Sequence, residues 1–246
     1  MSSLSGKTAL VTGGSRGIGA ATALRLAQQG ADVAITYVHG EEAAREVVAK
    51  IEAAGRRGFA IRADAADAGD AAGAVERAAD DLGRLDILVN NAGTGVLGPL
   101  ETLALADIDR VLDVNVRAAF LASQAAVARM GRGGRIISIG TCMVKHVPGP
   151  GGTLYATSKA ALIGLTKALA RELGERGITA NLVHPGPIDT DMNPAAGPYA
   201  AGQAADTAVG RFGHPDEVAS MVAYLAGDEA AYVTGAELAV DGGHAA

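Results

Sequence analysis

Tryptophan is absent from this 246-residue chain, phenylalanine and tyrosine together number only eight, and there is one cysteine. The shortage of aromatics leaves the core to Ala, Val, Leu and Ile. A lone thiol, Cys142, excludes an internal disulfide and suits a reducing, cytoplasmic setting. Positive charge is also short: 21 Lys and Arg against 27 Asp and Glu give a net charge of -6 and a pI near 5.4. Without blocks of like charge, this excludes the basic footprint that nucleic acid or an anionic membrane surface requires. No uninterrupted apolar run approaches the ~18–20 residues that span a bilayer. The start, Met1–Lys7, lacks the basic and apolar segments of a secretion leader. The five histidines, at 39, 146, 184, 214 and 244, do not have metal-ligand spacing. The expectation is a soluble, acidic, cytoplasmic protein of a single domain over 1–246, long enough to bury a full core.

What is present is a regular alternation of apolar runs and helix-like segments. Strands are predicted at Lys7–Thr12, Asp32–Tyr37, Phe59–Arg62, Asp86–Asn90, Arg135–Ile139, Ile178–Val183 and Glu237–Val240. Helices are predicted over Gly17–Gln29, Glu41–Ala54, Asp70–Leu82, one long stretch Leu105–Met130, Tyr155–Glu175 and Pro215–Ala226. Val-, Ile- and Leu-rich strands alternating with helices specify βαβ units and a parallel sheet buried on both faces. Right-handed crossovers then give an α/β, Rossmann-like, three-layer doubly wound sandwich with a seven-stranded parallel sheet. The Pro/Gly/Asn-rich stretch 185–213 breaks the rhythm and is expected to be an irregular lid or specificity loop.

Between the first strand and the first helix lies Thr12-Gly13-Gly14-Ser15-Arg16-Gly17-Ile18-Gly19. Glycines there permit a tight turn and close backbone approach to a pyrophosphate, which the helix N-terminus attracts. A glycine cluster alone is equally an ordinary turn; its position after a strand and before a helix carries the dinucleotide reading. Specificity for the cofactor follows from the second strand. An acid at its end would hold the adenine ribose hydroxyls and repel a 2′-phosphate, but Ile35–Gly40 contains none before Glu41. Arg16 inside the turn offers a guanidinium to such a phosphate. NADP(H) is expected, with NAD(H) possible.

Tyr155-Ala-Thr-Ser-Lys159 places a phenol and an ammonium four apart, on one helix face. Taken alone this is also an ordinary helix pair. A cation near the phenol would favour the phenolate and lower the tyrosine pKa, poising it for acid–base work on a carbonyl or alcohol. Asn90-Asn91-Ala92-Gly93 follows the fourth strand at its carboxyl end, where such sheets bind ligands. Asn115 stands among apolar residues of a predicted helix, either a satisfied core group or a functional one.

Together these pieces resemble the short-chain dehydrogenase/reductase family, in its compact branch similar to 3-oxoacyl-carrier-protein ketoreductases. The resemblance covers essentially the whole chain: the glycine turn, Asp64 after the third strand, Asn90–Gly93, Asn115, the Tyr155–Lys159 helix and Pro185-Gly186-Pro187-Ile188-Asp189-Thr190. It implies a nicotinamide cofactor, a carbonyl or alcohol substrate of small size, and a homotetramer built through the 105–130 and 155–175 helices, with the Val240–Ala246 segment at another interface. It also implies a tetrad in which Tyr155 is the general acid/base and Lys159 holds the nicotinamide ribose. Asn115 would position a water linking Lys159 to solvent. Cofactor contacts would come from Gly13, Ser15, Arg16, Gly17, Ile18 and Gly19 in the turn, and from Tyr37, Asp64 and Ala65 beside the adenine end. Further contacts would come from Asn91, Ala92 and Gly93, from Tyr155 and Lys159, and from Pro185, Gly186, Ile188 and Thr190.

One departure stands out. The family serine ahead of the tyrosine has no counterpart at the usual distance, where Cys142 stands, thirteen before Tyr155. Thr141, one residue earlier, has the hydroxyl to replace it, with a loop one residue longer over Met143–Leu154; a thiol donates poorly. Ser138 falls too early. The substrate pocket is expected between Gly93–Leu97, Thr141–Leu154 and 185–213, with Val144, His146, Val147, Leu154, Met192 and Tyr199 among its members. Two alternatives remain: a cofactor-binding regulatory or nucleotide-sensing protein with little turnover, and an enoyl reductase or epimerase on the same fold. The four-residue Tyr–Lys spacing disfavours enoyl reductases of the family, which place the lysine further away. Epimerases carry a differently spaced glycine turn and a longer chain.

Overall fold

The computed structural model describes residues 4–246; the first three residues of the segment read as lacking a leader lie outside it. Seven strands form one parallel sheet: β1 (Thr8–Val11), β2 (Asp32–Tyr37), β3 (Gly58–Arg62), β4 (Ile87–Asn90), β5 (Arg135–Ile139), β6 (Thr179–Pro185) and β7 (Glu237–Val240). Their order is β3-β2-β1-β4-β5-β6-β7, with Val11 paired to both Ile35 and Val89. The order reverses at β1 and β4, which places the crevice of a doubly wound sheet at their carboxyl ends. The α/β three-layer sandwich expected from the sequence is the observed fold.

Alternation along the strands divides the core. Ala9, Val11, Val33 and Ile35 face α1 (Gly17–Gln28), α2 (Glu41–Ala53) and a C-terminal helix, Pro215–Ala226. Leu10, Ala34, Leu88 and Ile136 face the other layer, α3 (Ala68–Leu82) with two later helices, Ala118–Arg129 and Thr153–Leu173. Both faces are covered, so the strands read as continuous apolar runs. Each fully buried Leu or Ile contributes about 1.5–3 kcal/mol over exposure. Alanines let the second layer pack closely: Ala74 and Ala78 of α3 join Ala122 and Ala126 in one cluster. The Asp67 carboxylate accepts from the Asp70 amide at 2.9 Å to cap α3, and left-handed Gly83 ends it.

Two expectations are corrected. The stretch 105–130 is not one regular helix. It comprises α4 (Leu105–Leu112), a π turn over Asp113–Arg117 and α5 (Ala118–Arg129). The wide turn carries Asn115, whose buried carboxamide bonds to Thr94 and Ser158, and such bulges insert a residue where a side chain must be re-aimed. Contrary to the expectation of no such stretch, the continuous helical run Leu105–Arg129 is long and apolar enough to cross a membrane by length and composition alone. It carries Asp107, Asp109, Arg110, Asp113 and Arg117, and α5 packs on α3 as a core helix.

The 185–213 stretch is the second correction. Pro185 still belongs to β6, Ile188 bridges Gly213, and a short helix α7 (Ala200–Ala205) sits within it. After α6 (Thr153–Leu173), the final helix α8 (Pro215–Ala226) opens with a capping box: Glu217 accepts from the His214 amide at 2.8 Å. Arg211 grips the same carboxylate at 2.8 and 2.9 Å and, with that amide, holds it down to about 2. This anchors the stretch to the scaffold at its far end.

Candidate active site

The glycine turn leaves β1 and is stitched on both sides. The Gly13 amide donates to the Thr36 hydroxyl and the Gly14 amide to the Thr36 carbonyl, both at 2.9 Å. Asn91 donates its carboxamide to the carbonyls of Thr12 and Gly13 at 2.9 and 3.0 Å. The Thr12 hydroxyl accepts from the amides of Asn91 and Ala92 at 3.0 Å. The carboxyl ends of β1, β2 and β4 are thereby locked into one rim. Asn91 is thus a brace for the turn, and Thr36 is a second brace whose role has no local sequence signal.

No side chain fits at Gly14 or Gly19 of this turn. A Cβ at Gly14 would stand 2.6 Å from Ile35 Cγ2, and one at Gly19 would stand 2.3 Å from the Gly13 carbonyl oxygen. Gly13 and Gly17 have positive φ, 64° and 53°, which other residues rarely adopt. Helix α1 starts at Gly17 without a side-chain cap and without an acid in its first turn. Its free amides and dipole therefore face the crevice ready for an anion. Ala65 and Ala92 line a narrow cleft with Thr12, Thr36, Ala63 and Val114. Ser15, Ile18 and Tyr37 are half-buried along the same rim. Asp64 accepts from the Ala66 amide at 2.9 Å and pairs with Arg110 of α4 at 3.1 Å, and these contacts hold its carboxyl below the usual range.

The exposed Arg16 guanidinium lies 3.8 Å from Asp191 of the 185–213 stretch, and a Cβ at Gly17 would be 3.4 Å from Thr190 Cγ2. The stretch therefore closes over the glycine turn. Pro185 and Ile188 are buried and Gly186 half-buried beneath it. A Cβ at Gly186 would lie 2.6 Å from the Asp241 Cα, so only glycine fits there.

Opposite lies the polar centre. Lys159 is buried, and its Nζ donates to the Ile139 carbonyl at 2.8 Å, at the end of β5. Asn115 donates to the Thr94 carbonyl at 2.8 Å and to the Ser158 hydroxyl at 2.9 Å, and accepts from the Thr94 amide at 2.9 Å. Ser158 in turn donates to the Tyr155 carbonyl at 2.8 Å. Gly93 gives room for this group, since a Cβ there would lie 3.2 Å from Lys159 Nζ and 3.5 Å from Asn115 Oδ1. A Cβ at Gly95 would lie 3.1 Å from the Tyr155 ring.

Thr141 is buried beside Tyr155, near enough to favour its phenolate in part, and its hydroxyl accepts from the Met143 amide at 3.3 Å. Ser138 faces away, toward Asn90 at 3.5 Å. Burial pushes the Cys142 thiol up to about 11, so it remains protonated. The electrostatics correct one expectation. Burial raises the Tyr155 pKa, and the Thr141 contact offsets only part of that rise. The Lys159 ammonium, turned to the Ile139 carbonyl, does not lower it; burial instead pulls Lys159 down to about 8. Among the expected pocket residues, Met192 and Tyr199 are exposed and Leu154 is buried. His146, also expected in the pocket, is exposed and packs edge-on against His244 with ring centroids 5.3 Å apart.

A family model described as "Enoyl-(Acyl carrier protein) reductase" matches residues 13–245. The chain is similar to a short chain dehydrogenase from Burkholderia cenocepacia J2315, whose crystal structure is in complex with NADP. The two are 56% identical, 99% of this chain and 100% of that chain are covered, and the TM-score is 0.98. It is 45% identical to a cyclic-di-GMP-binding biofilm dispersal mediator protein of Escherichia coli K12, over 98% of both chains. It is 42% identical to a 3-oxoacyl-[acyl-carrier-protein] reductase of Staphylococcus aureus, over 96% of this chain and 97% of that one.

Proposed function

Because this chain belongs to the short-chain dehydrogenase/reductase family, we propose that it is an NADP(H)-dependent oxidoreductase interconverting a ketone or aldehyde and its alcohol. The observation that carries the reading is the convergence of the Tyr155 phenol, the Thr141 hydroxyl and buried Lys159 on one rim with the glycine turn. The residues present fit the cofactor. The uncapped start of α1 and the Gly13–Gly19 cradle would take the pyrophosphate. Arg16 would take the 2′-phosphate, and Tyr37, Asp64 and Ala65 would flank the adenine end. Ala92, Gly93, Pro185, Gly186, Ile188 and Thr190 line the approach to Lys159. Bound there, the reduced nicotinamide supplies a hydride to the carbonyl carbon.

The chain's own residues complete the reaction. Thr141 donates a hydrogen bond that orients the carbonyl oxygen, and the Tyr155 phenol protonates that oxygen as charge develops. Lys159, buried at the same rim, would hold the nicotinamide ribose. Asn115 holds Thr94 and Ser158 on either side of that pair, and a water at this place would return the proton from solvent. In oxidation each transfer reverses. The description of the matching family model names enoyl chemistry, but the four-residue spacing of Tyr155 and Lys159 supports carbonyl chemistry. The 185–213 stretch acts as the lid. A second reading, a regulatory cofactor-binding protein with little turnover, is favoured by the similarity to the E. coli mediator protein. It leaves the retained Tyr155 and Lys159 without a task.

The test is consumption of NADPH and of NADH at the nicotinamide absorbance against a panel of ketones, aldehydes and β-ketoacyl thioesters. Turnover with NADPH supports the reading. Turnover with NADH alone removes the assignment of Arg16. Tight NADPH or cyclic-di-GMP binding with no turnover favours the regulatory reading.

A further inference from the structure

Just past the end of β5 the chain leaves the sheet, and each of three successive residues is held by a different partner. Lys159 binds the Ile139 carbonyl at 2.8 Å, and the Val183 carbonyl accepts from the Gly140 amide at 2.7 Å. The Thr141 amide, beyond the last residue of β5, donates to Nδ1 of His184 at 3.2 Å. An imidazole there does what a strand carbonyl would do. His184 is 2% exposed, and Gly140 makes room for it, since a Cβ at that place would fall 2.5 Å from Nδ1 and 2.9 Å from Cε1.

The far side of the ring faces charge. His184 Nε2 lies 3.5 Å from Glu237 at the start of β7. Two cations, Lys145 after β5 and Lys167 on α6, each approach the Glu237 carboxylate at 2.8 Å. For Nδ1 to accept, the imidazole must carry its proton on Nε2, the side of the carboxylate. We propose that His184 is a positioning residue for the proton-transfer site: its neutral imidazole accepts the Thr141 amide and so holds Thr141 in place beside Tyr155. A second proton, on Nδ1, turns the acceptor into a donor that faces the Thr141 N–H. Thr141 is then released, and the site loses its alignment in acid. Burial and Lys145 hold the imidazole neutral, while Glu237 favours the charged form and the net shift is downward. The acid loss therefore falls below the ordinary histidine range.

This inference rests on the reductase reading and goes beyond it by adding a residue that acts through Thr141. The test is steady-state reduction from pH 5 to 9 by the wild type, His184→Leu and His184→Asn, with NADPH affinity measured in parallel. Leu fills the space without an acceptor. Asn offers an oxygen near the Nδ1 position and does not titrate. His184→Leu is expected to lose about ten-fold or more in kcat with NADPH affinity within about two-fold, because a small misplacement costs chemistry before it costs cofactor binding. His184→Asn is expected to recover most of kcat at neutral pH and to lack the decline in acid. Unchanged kcat in His184→Leu overturns the proposal, as does a wild-type acid limb in His184→Asn. If the leucine variant does not fold, the pH profile of the asparagine variant decides. A wild type without turnover sinks the reductase reading itself, and that is seen before any variant is compared.

Discussion

Burying an ammonium is costly unless it is compensated, and the protein meets that cost at Lys159 with the carbonyl of Ile139 rather than with a carboxylate. Lys159 titrates near 8 as a result, while burial keeps the Tyr155 phenol protonated well into alkali. The two shifts give opposite pH dependences for the two directions of reaction. Carbonyl reduction uses a protonated Tyr155 and a charged Lys159, so its rate should decline as pH rises through about 8. Alcohol oxidation needs Tyr155 to lose its proton, so its increase should come only in stronger alkali, above the range in which reduction falls. Rate profiles in both directions check this, and a reduction rate still climbing above pH 9 would contradict it. At the other end of the crevice, Arg16 is exposed and only loosely paired with Asp191. Arg16→Ala should raise KM for NADPH about ten-fold and leave KM for NADH within about two-fold, since one charged contact to a phosphate contributes about 1.5–3 kcal/mol at most.

The element that does most to place the site is the π turn at Asp113–Arg117. Its Asn115 makes three hydrogen bonds, two to Thr94 and one to Ser158. Asn115→Leu leaves the Thr94 amide and carbonyl without their partner. It should lower stability by about 2–3 kcal/mol, roughly 5–10 °C in Tm, and lower kcat as well, measured by calorimetry and kinetics together. Nothing in the sequence marks this turn. Ala-, Val- and Leu-rich residues run on either side of it in a pattern that any helix would satisfy, and the reason for the bulge lies at Thr94 and Ser158. The strands, in contrast, were legible because a sheet covered on both faces needs continuous apolar runs such as Ile136-Ile137 and Leu88-Val89. The glycine turn and the Tyr155–Lys159 pair were legible because their spacing is local. His184 was not, since the amide it holds is 43 residues away in sequence. The sign of the Tyr155 shift also depends on burial, which spacing alone does not report. Helix α7 was hidden by the Pro, Gly and Asn residues around it.

Across the whole molecule the two ends of the sheet carry different chemistry. The amino ends of the strands hold structural pairs: Asp32 with Arg56 and Arg57, and Asp86 with Arg84 and the Thr8 amide. The carboxyl ends hold the glycine turn, Asn91, Thr141 and the 185–213 stretch. The acid of β2 thus sits at its first residue, Asp32, away from the carboxyl end, where the proposed role of Arg16 meets no opposing carboxylate from that strand. The outer face of α4 and α5 exposes Leu105, Leu112 and Phe120, and the neighbouring α6 exposes Ala160, Ala161 and Gly164. This surface suits helix-to-helix self-association. The protein should run in gel filtration and ultracentrifugation as an assembly of several 24.5 kDa chains, and Phe120→Glu should shift it to smaller species. A wild type that sediments as a monomer would refute that assembly.

In the proposed reaction a Tyr155 proton, delivered at the rim where NADPH would bind, drives carbonyl reduction. The most direct measurement compares the wild type with Tyr155→Phe, following NADPH consumption on an accepted ketone while titrating NADPH binding by fluorescence. Tyr155→Phe should lose about 10²–10⁴-fold in turnover with NADPH affinity nearly unchanged. Turnover that survives in Tyr155→Phe would contradict it.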